Sequence, residues 1–241
     1  MALQICPADR HWYGAPGLSI LEEMRASRRT IASRAGRLEA DVSRILQATC
    51  SETPADPCDR PALLLTIGLP GSGKSTFARR LAPMIDAVIL ESDSLRLLLF
   101  AQPAYSPSES RRLFAALHAA ARRLLLLGRN VIIDATNVQE SHRRPAYEMA
   151  RETGASLLQL SFSAPQSVIE QRLARRMEAP DADDSSSAGL DVYRFMAERA
   201  ETPLREHWNI DTSDTADVEA ALSRVVEACR PKAGRVAGGT H

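Results

Sequence analysis

The 241-residue sequence has no net charge, because its 30 basic residues balance its 30 acidic ones. No global field therefore draws the protein toward nucleic acid or a membrane, and a polyanion site would have to be a local patch. No apolar run approaches the ~20 residues of a membrane span. The N-terminus lacks the basic start and apolar stretch of a signal peptide. We expect a cytoplasmic protein with no membrane partner.

Cysteine is scarce, and its spacing excludes two common uses. None of the four cysteines forms a C-x-x-C pair or the spacing of a zinc site. Ordinary thiols in a reducing compartment are the expectation. The four are Cys6, Cys50, Cys58 and Cys229.

The most informative feature that is present is the stretch GLPGSGKST at residues 68–76. It fits the phosphate-binding pattern G-x-x-x-x-G-K-[ST]. An apolar run at 62–67 predicts a buried strand before it, and residues 77–82 predict the start of a helix, which is the context that the motif requires. Glycines allow backbone N–H groups to turn toward an anion, and a helix start adds partial positive charge. The predicted nucleotide-binding residues here are Gly68, Gly71, Ser72, Gly73, Lys74, Ser75 and Thr76.

This loop predicts ATP and Mg²⁺ as cofactors. Lys74 can reach the β- and γ-phosphates, and the Ser75 hydroxyl can ligate Mg²⁺. Lys74 is therefore also a predicted catalytic residue.

The sequence divides by composition into three parts. Residues 1–60 are predicted to be an N-terminal helical extension and linker, residues 61–230 the nucleotide-binding domain, and residues 231–241 a flexible tail. Apolar residues recur at helical steps over 18–48, but the polar stretch Ser27–Ser33 weakens this stripe, so one or two helices are possible. These helices could cap the sheet, pair two chains or meet a partner.

From residue 62 onward, apolar strands and helical segments alternate. This predicts an α/β fold: a P-loop three-layer sandwich around a parallel five-stranded sheet. Ligands of such sheets bind at the carboxyl ends of the strands. The polar run 178–189 is expected to be mobile. Predicted strands cover 62–67, 87–90, 130–134, 157–162 and 208–212; predicted helices cover 108–127, 140–153, 165–177, 190–206 and 218–229.

The remaining motifs favour phosphoryl transfer. No N-K-x-D guanine-reading motif occurs, which argues against a GTPase, and the domain is short for a mechanical ATPase. Asp93 follows the second strand and is the best candidate for the base that takes the acceptor's proton. Arg96 would share its face if a helix begins at Ser94, and could hold an acceptor phosphate or orient Asp93.

Two further groups could serve the same site. Asp134 ends an apolar strand and suits either Mg²⁺-bound water or a substrate-holding arginine. Asn137 follows it with a side chain that can hold the loop. Arg172 and Arg176 share a helix face and could neutralise the transferring phosphoryl group from a lid. A solvated basic surface is the alternative for these two arginines.

Together these motifs resemble the P-loop 5′-hydroxyl polynucleotide kinases of nucleic-acid repair, over most of residues 62–180. The resemblance rests on residues 71–78, 91–96 and 134–141 with Arg143, and on the spacing of Arg172 and Arg176. The run DATNVQES at 134–141 is especially similar to the kinase module of bacterial RNA end-healing enzymes.

The resemblance implies roles for individual residues. Asp93 matches the general base, Arg96 the residue that binds the acceptor's phosphate, and Arg176 a lid residue that acts on the transferring phosphate. Arg172 is assigned to the nucleotide, Asn137 and Arg143 to the substrate, and Asp134 to the metal or the substrate. No phosphatase or ligase module accompanies these motifs, and residues 1–60 match nothing in that family.

Three functional hypotheses follow. The first is an ATP- and Mg²⁺-dependent kinase for the 5′-hydroxyl end of RNA or DNA, aided by basic residues such as Arg111, Arg112, Arg143 and Arg144. The second is the same chemistry on a nucleotide, sugar or antibiotic hydroxyl, as in the wider group of AAA-type, zeta-toxin-like kinases that includes chloramphenicol and adenylylsulfate kinases. The third is a nucleotide-dependent switch whose N-terminal helices bind a partner or a second copy.

Overall fold

The computed structural model describes residues 16–49, 57–178 and 189–230. Its internal contacts divide the chain into two units, Met1–Glu39 and Ala40–His241, and the second unit contains every strand of the sheet. The polar run at 179–188 and the tail from 231 lie outside the described residues, as does most of the predicted linker. The domain boundaries expected at 60/61 and 230/231 remain predictions.

Five parallel strands form one sheet in the order β2-β3-β1-β4-β5, which confirms the predicted α/β fold. The first strand lies at the centre and is buried along its whole length. Its continuous apolar sequence suits this position, because helices cover a parallel sheet on both faces. The strands are β1 Ala62–Ile67, β2 Ala87–Glu91, β3 Asn130–Asp134, β4 Ser156–Ser163 and β5 Trp208–Asp211.

Helices connect the strands, and a 3₁₀ turn covers Ala82–Met84. Over the described ranges, no helix is long and apolar enough to cross a bilayer. The helices are α1 Pro16–Thr49, α2 Lys74–Leu81, α3 Ser92–Leu99, α4 Pro107–Leu126, α5 Glu140–Thr153, α6 Gln166–Glu178, α7 Leu190–Ala197 and α8 Thr215–Cys229.

The two faces of the sheet bury separate apolar layers. Leu63 and Leu65 point to one side, where they pack in the same cluster as Leu117 of α4. Leu64 points to the other side and packs with Phe77 of α2 and Leu222 of α8. This alternation along β1 follows from the two-residue period of a strand. Helices, sheet and helices thus make the three expected layers.

Several helix limits differ from the sequence prediction. Residues 18–48 belong to one continuous helix, because the polar stretch in its middle contains neither proline nor glycine to break it. The helix predicted over 190–206 ends at Ala197. The backbone beyond it instead bonds to the loop that precedes α5: Glu201 N–H donates to Val138 O at 2.8 Å. The last helix begins three residues early, since the Asp214 side chain caps it by accepting from Ala216 N at 2.8 Å.

The C-terminal end of α1 belongs to the second unit and joins its core. Val42 and Ile45 are almost fully buried in the cluster on the α4 side of the sheet. Next to them, the buried Asp41 carboxylate accepts two hydrogen bonds from Arg112 of α4, at 2.7 and 2.8 Å. This hydrogen-bonded ion pair raises the pKa of Arg112. A bidentate pair of this kind fixes direction as well as distance between the two helices.

We expect Asp41→Ala to lower the free energy of unfolding by about 2 kcal/mol, because it leaves the Arg112 guanidinium without its carboxylate. Arg112 is one-third exposed and can turn toward water, so the loss should stay below that of a fully buried pair. Urea unfolding followed by circular dichroism measures the change.

Glu152→Ala is the matched control, because it breaks the exposed ion pair with Arg122 at 2.6 Å. Exposed pairs contribute at most about 1 kcal/mol. Equal losses for the two variants would contradict a structural role for the Asp41–Arg112 pair.

Candidate active site

Two glycines of the loop at 68–73 occupy positions that no other residue fits. Gly68 has a φ of +155°, and a Cβ there would lie 2.7 Å from both Phe162 O and Ser72 Oγ. Gly73 has a φ of +87°, and its Cβ would lie 3.0 Å from Thr212 Cγ2. Left-handed φ values and such short distances both exclude a side chain. The loop backbone therefore runs tightly between β4 and the end of β5, just before α2 begins at Lys74.

Lys74 is the electrostatic centre of the site. Its side chain is buried, and its ammonium donates to Leu69 O at 2.9 Å. Burial lowers the pKa of Lys74, the Asp134 and Asp93 carboxylates raise it, and Arg176 lowers it. Asp93, Asp134 and Arg176 are thus each within electrostatic range of the Lys74 ammonium. A buried ammonium between carboxylates and an arginine is well placed to receive a polyphosphate.

Asp134 lies at the end of β3, where the sheet register pairs it with Glu91 of β2. Its carboxylate is buried, and Oδ1 accepts from Thr66 Oγ1 at 3.0 Å. Among the described residues, Oδ2 has no hydrogen-bond partner. A buried carboxylate oxygen normally has a partner, so one without a hydrogen bond from the protein is expected to bind a cation or a water molecule.

The residues around this oxygen fit Mg²⁺. Asp134 and the Ser75 hydroxyl are hard oxygen donors, and Ser75 lies in the first turn of α2. In the described ranges no group of three or more His, Cys, Asp or Glu side chains forms a metal site. Mg²⁺ does not need one, because it takes one or two protein oxygens and completes its shell with phosphates and water.

Asp93 and Arg96 lie on α3, which begins at Ser92, two residues before the predicted start. Asp93 is half-buried in the first turn, and Arg96 follows one turn later on the same face. Arg96 is 6% exposed, and it donates to Glu109 at 2.9 Å and to Ser110 at 3.3 Å. The hydrogen bond from Arg96 is the main cause that holds the pKa of Glu109 below its usual range.

Two predicted substrate residues lie inside the protein instead. Arg143 is completely buried: its side chain donates to Glu140 at 2.9 Å, to Asn137 O at 2.8 Å and to Glu201 O at 3.2 Å. Asn137 is also buried and donates to Thr66 O at 2.9 Å. These contacts are structural, and a contact of either side chain with a substrate stays a prediction. Both residues hold the loop that follows Asp134.

Arg172 contacts the phosphate loop directly and also through Thr212, a residue that the sequence did not single out. It donates to Gly71 O at 3.2 Å and to Thr212 Oγ1 at 2.8 Å. The Thr212 hydroxyl in turn donates to Ser72 O at 2.9 Å. Thr212 directly follows β5, so its position at the carboxyl edge of the sheet was the signal available in the sequence.

A cleft of about 400 Å³ opens beside this network. Thr76 and Phe77 of α2, Val218 of α8 and Thr212 line it together with Arg172 and Arg176. Phe77 and Val218 are its apolar walls, and the threonines and arginines offer donors that suit an anionic ligand. The cleft adjoins Gly71 and Gly73, so a nucleoside held there would direct its phosphates into the loop.

Two groups of proteins resemble this sequence. L-seryl-tRNA(Sec) kinase of Methanococcus maripaludis is 25% identical over 177 residues, which are 68% of this chain and 65% of that kinase. An uncharacterized protein of Mycobacterium bovis is 28% identical over 149 residues, which are 57% of this chain and 29% of that protein. The chain therefore spans just under two thirds of the first relative and less than a third of the second.

Solved structures share the fold. Chaetomium thermophilum Kti12 in complex with ADP-AlF3 is 22% identical with a TM-score of 0.57, over 70% of this chain and 99% of that one. The Mycobacterium tuberculosis APS kinase CysC, in complex with AMPPNP and APS, is 19% identical with a TM-score of 0.52, over 70% and 96%. The AAA domain family AAA_33 matches residues 63–203, which is more than half of the chain. With its phosphate loop, buried lysine and the aspartate that ends β3, the chain belongs to AAA_33, a family of P-loop kinases.

Proposed function

We propose that this ATP-dependent phosphotransferase transfers the γ-phosphate of ATP to the 5′-hydroxyl end of RNA or DNA. The observation that carries the proposal is the arrangement around Lys74, where Asp93, Asp134 and Arg176 all act on one buried ammonium. A hydroxyl placed between Asp93 and the terminal phosphate would face a base on one side and cationic groups on the other. Such positioning and charge stabilisation supply most of the catalysis in phosphoryl transfer.

Each residue has a defined task in this reaction. Backbone N–H groups of the loop and the Lys74 ammonium hold the phosphates, while Asp93 accepts the proton of the acceptor hydroxyl. Asp134 and Ser75 would hold Mg²⁺, which neutralises charge on the phosphate oxygens when bound. Arg176, at the end of α6, offsets the negative charge that develops on the transferring group.

Two observations support a nucleic-acid acceptor. Arg96 lies one helical turn from Asp93, close enough for a guanidinium to hold a phosphate next to the reacting hydroxyl. In addition, the archaeal relative is a kinase of L-seryl-tRNA(Sec), whose acceptor is attached to RNA. The acceptor would then be an extended molecule, of which only one end enters the site.

The hydroxyl of a small molecule is the second candidate acceptor. It is favoured because two of the arginines expected to bind a polynucleotide are engaged inside the protein. Of the basic residues expected to line a groove for a polynucleotide, Arg112 is paired with Asp41 and Arg143 is fully buried. Arg111 and Arg144 remain exposed. A groove with fewer available cations binds a phosphate backbone less strongly.

The direct test is incubation of the protein with γ-labelled ATP, Mg²⁺ and a set of acceptors. We expect label on 5′-hydroxyl RNA or DNA oligonucleotides and none on the same oligonucleotides carrying a 5′-phosphate. The set includes nucleosides, sugars and aminoglycosides. Label on one of these small molecules, with none on the oligonucleotides, would overturn the nucleic-acid proposal in favour of the second candidate.

Asp93→Asn should retain ATP binding and lower kcat by ~10²-fold or more, which is the usual scale for the loss of a general base. Single-turnover transfer measured beside equilibrium binding of a fluorescent ATP analogue separates the two effects. Lys74→Ala is the comparison variant, because it should abolish use of the nucleotide altogether. Normal turnover by Asp93→Asn would refute the assignment of the base, while transfer to the acceptor would still identify a kinase.

Arg96→Lys should raise the acceptor KM by about tenfold with little change in kcat, because an ammonium lacks the planar two-donor geometry that a phosphate matches. Lysine keeps a positive charge next to the buried Glu109 carboxylate, so the variant tests binding without leaving that carboxylate unpaired. Initial rates at varied acceptor concentration provide both constants. An unchanged KM would show that Arg96 serves only the fold.

A further inference from the structure

We propose that Tyr105 is a stacking platform for the terminal base of the acceptor, and so a specificity-determining residue of this site. The inference rests on the proposed function, because it concerns how a nucleic-acid end is held. It adds to that function a means of recognising a planar base in addition to the sugar hydroxyl and the phosphate.

The Tyr105 ring lies next to the residues proposed to handle the acceptor. The Arg96 guanidinium carbon is 4.7 Å from the ring centroid and lies over the ring. Arg96 is itself one helical turn from Asp93 on α3. Tyr105 remains 50% exposed. The ring therefore offers aromatic surface to an incoming molecule beside the arginine proposed to hold the acceptor's phosphate.

The backbone at Tyr105 is held in an uncommon conformation. Its φ is +53°, in the left-handed region that bulky residues rarely adopt. Glu109 maintains this shape: one carboxylate oxygen accepts from Ala104 N at 2.8 Å, and the other accepts from Arg96 at 2.9 Å. Such strain persists where the surroundings over-determine it, and it concentrates at functional sites. One buried carboxylate thus sets the position of both the ring and the guanidinium.

This combination matches the chemistry of a nucleotide end. Stacking on an aromatic ring accepts any base, because every base has a π face. The Arg96 guanidinium places a positive charge beside the ring, which suits an acceptor that carries a phosphate next to its base.

The experiment compares two 3′-labelled, 5′-hydroxyl oligonucleotides that differ only at the first nucleotide, which is a normal nucleotide in one and abasic in the other. Fluorescence anisotropy measures Kd with the full-length protein, and phosphate transfer from ATP measures KM and kcat. Binding and transfer are recorded separately, so the stacking platform is tested even if no phosphate is transferred.

Three variants of the protein are compared with the unmodified chain. Tyr105→Gly removes the ring, and glycine adopts the left-handed φ without strain, so the loop should keep its path. Tyr105→Phe retains the ring. Leu97→Ala is the control, because it removes another exposed apolar side chain from the neighbouring helix α3.

We expect Tyr105→Gly to raise Kd and KM about tenfold for the base-bearing oligonucleotide, in line with ~1.4 kcal/mol of lost stacking. Values for the abasic oligonucleotide should not change, and Leu97→Ala should behave like the unmodified protein. Tyr105→Phe should still bind the base-bearing oligonucleotide more tightly than the abasic one. The stacking role would be overturned if the unmodified protein bound the two oligonucleotides with equal Kd values. It would also be overturned if Tyr105→Gly changed both Kd values equally. Base-dependent binding without any phosphate transfer would support the platform and would overturn the kinase proposal alone.

Discussion

The site depends on one buried positive charge, the ammonium of Lys74, and on the two carboxylates that stabilise it. Burial alone would drive this amine toward its neutral form, and Asp134 and Asp93 oppose that change. The carboxylates are where they are because β2 and β3 end side by side, with Glu91 in register with Asp134. The sheet therefore places the charges, and the glycine loop leaves room for a phosphate beside them.

Buried arginines give this arrangement its rigidity. Arg143 joins the loop after β3 to the segment at 201–202 by donating to backbone carbonyls on both. Arg96 joins α3 to α4 through Glu109. Truncation of either arginine would leave buried acceptors without a donor, which is costly in a medium of low polarity. Arg143 thus has a structural role, whereas Arg96 has a structural role and is also the proposed ligand of the acceptor's phosphate.

Much of the fold could be predicted from the sequence because its signals are local. The apolar run of β1, the glycine loop and the alternation of strands and helices each leave a short pattern, and five strands were found within one or two residues at either end. Thr212 and Tyr105 left no such pattern, because their importance comes from contacts made across 40 and 9 residues, respectively. The burial of Arg143 was missed for the same reason. Its partners include carbonyls at Glu201 and Thr202, 58 and 59 residues away.

Thr212 also links the phosphate loop to an edge of the sheet. It follows β5, a four-residue strand at the edge, yet its hydroxyl joins Ser72 O to Arg172. Edge strands pair on one side only, so their local opening requires less free energy than the opening of a central strand. Fraying of this edge would release the phosphate loop and the helix of Arg172 together. Departure of the spent nucleotide could then proceed through a small local breathing motion of the sheet, without displacement of its interior.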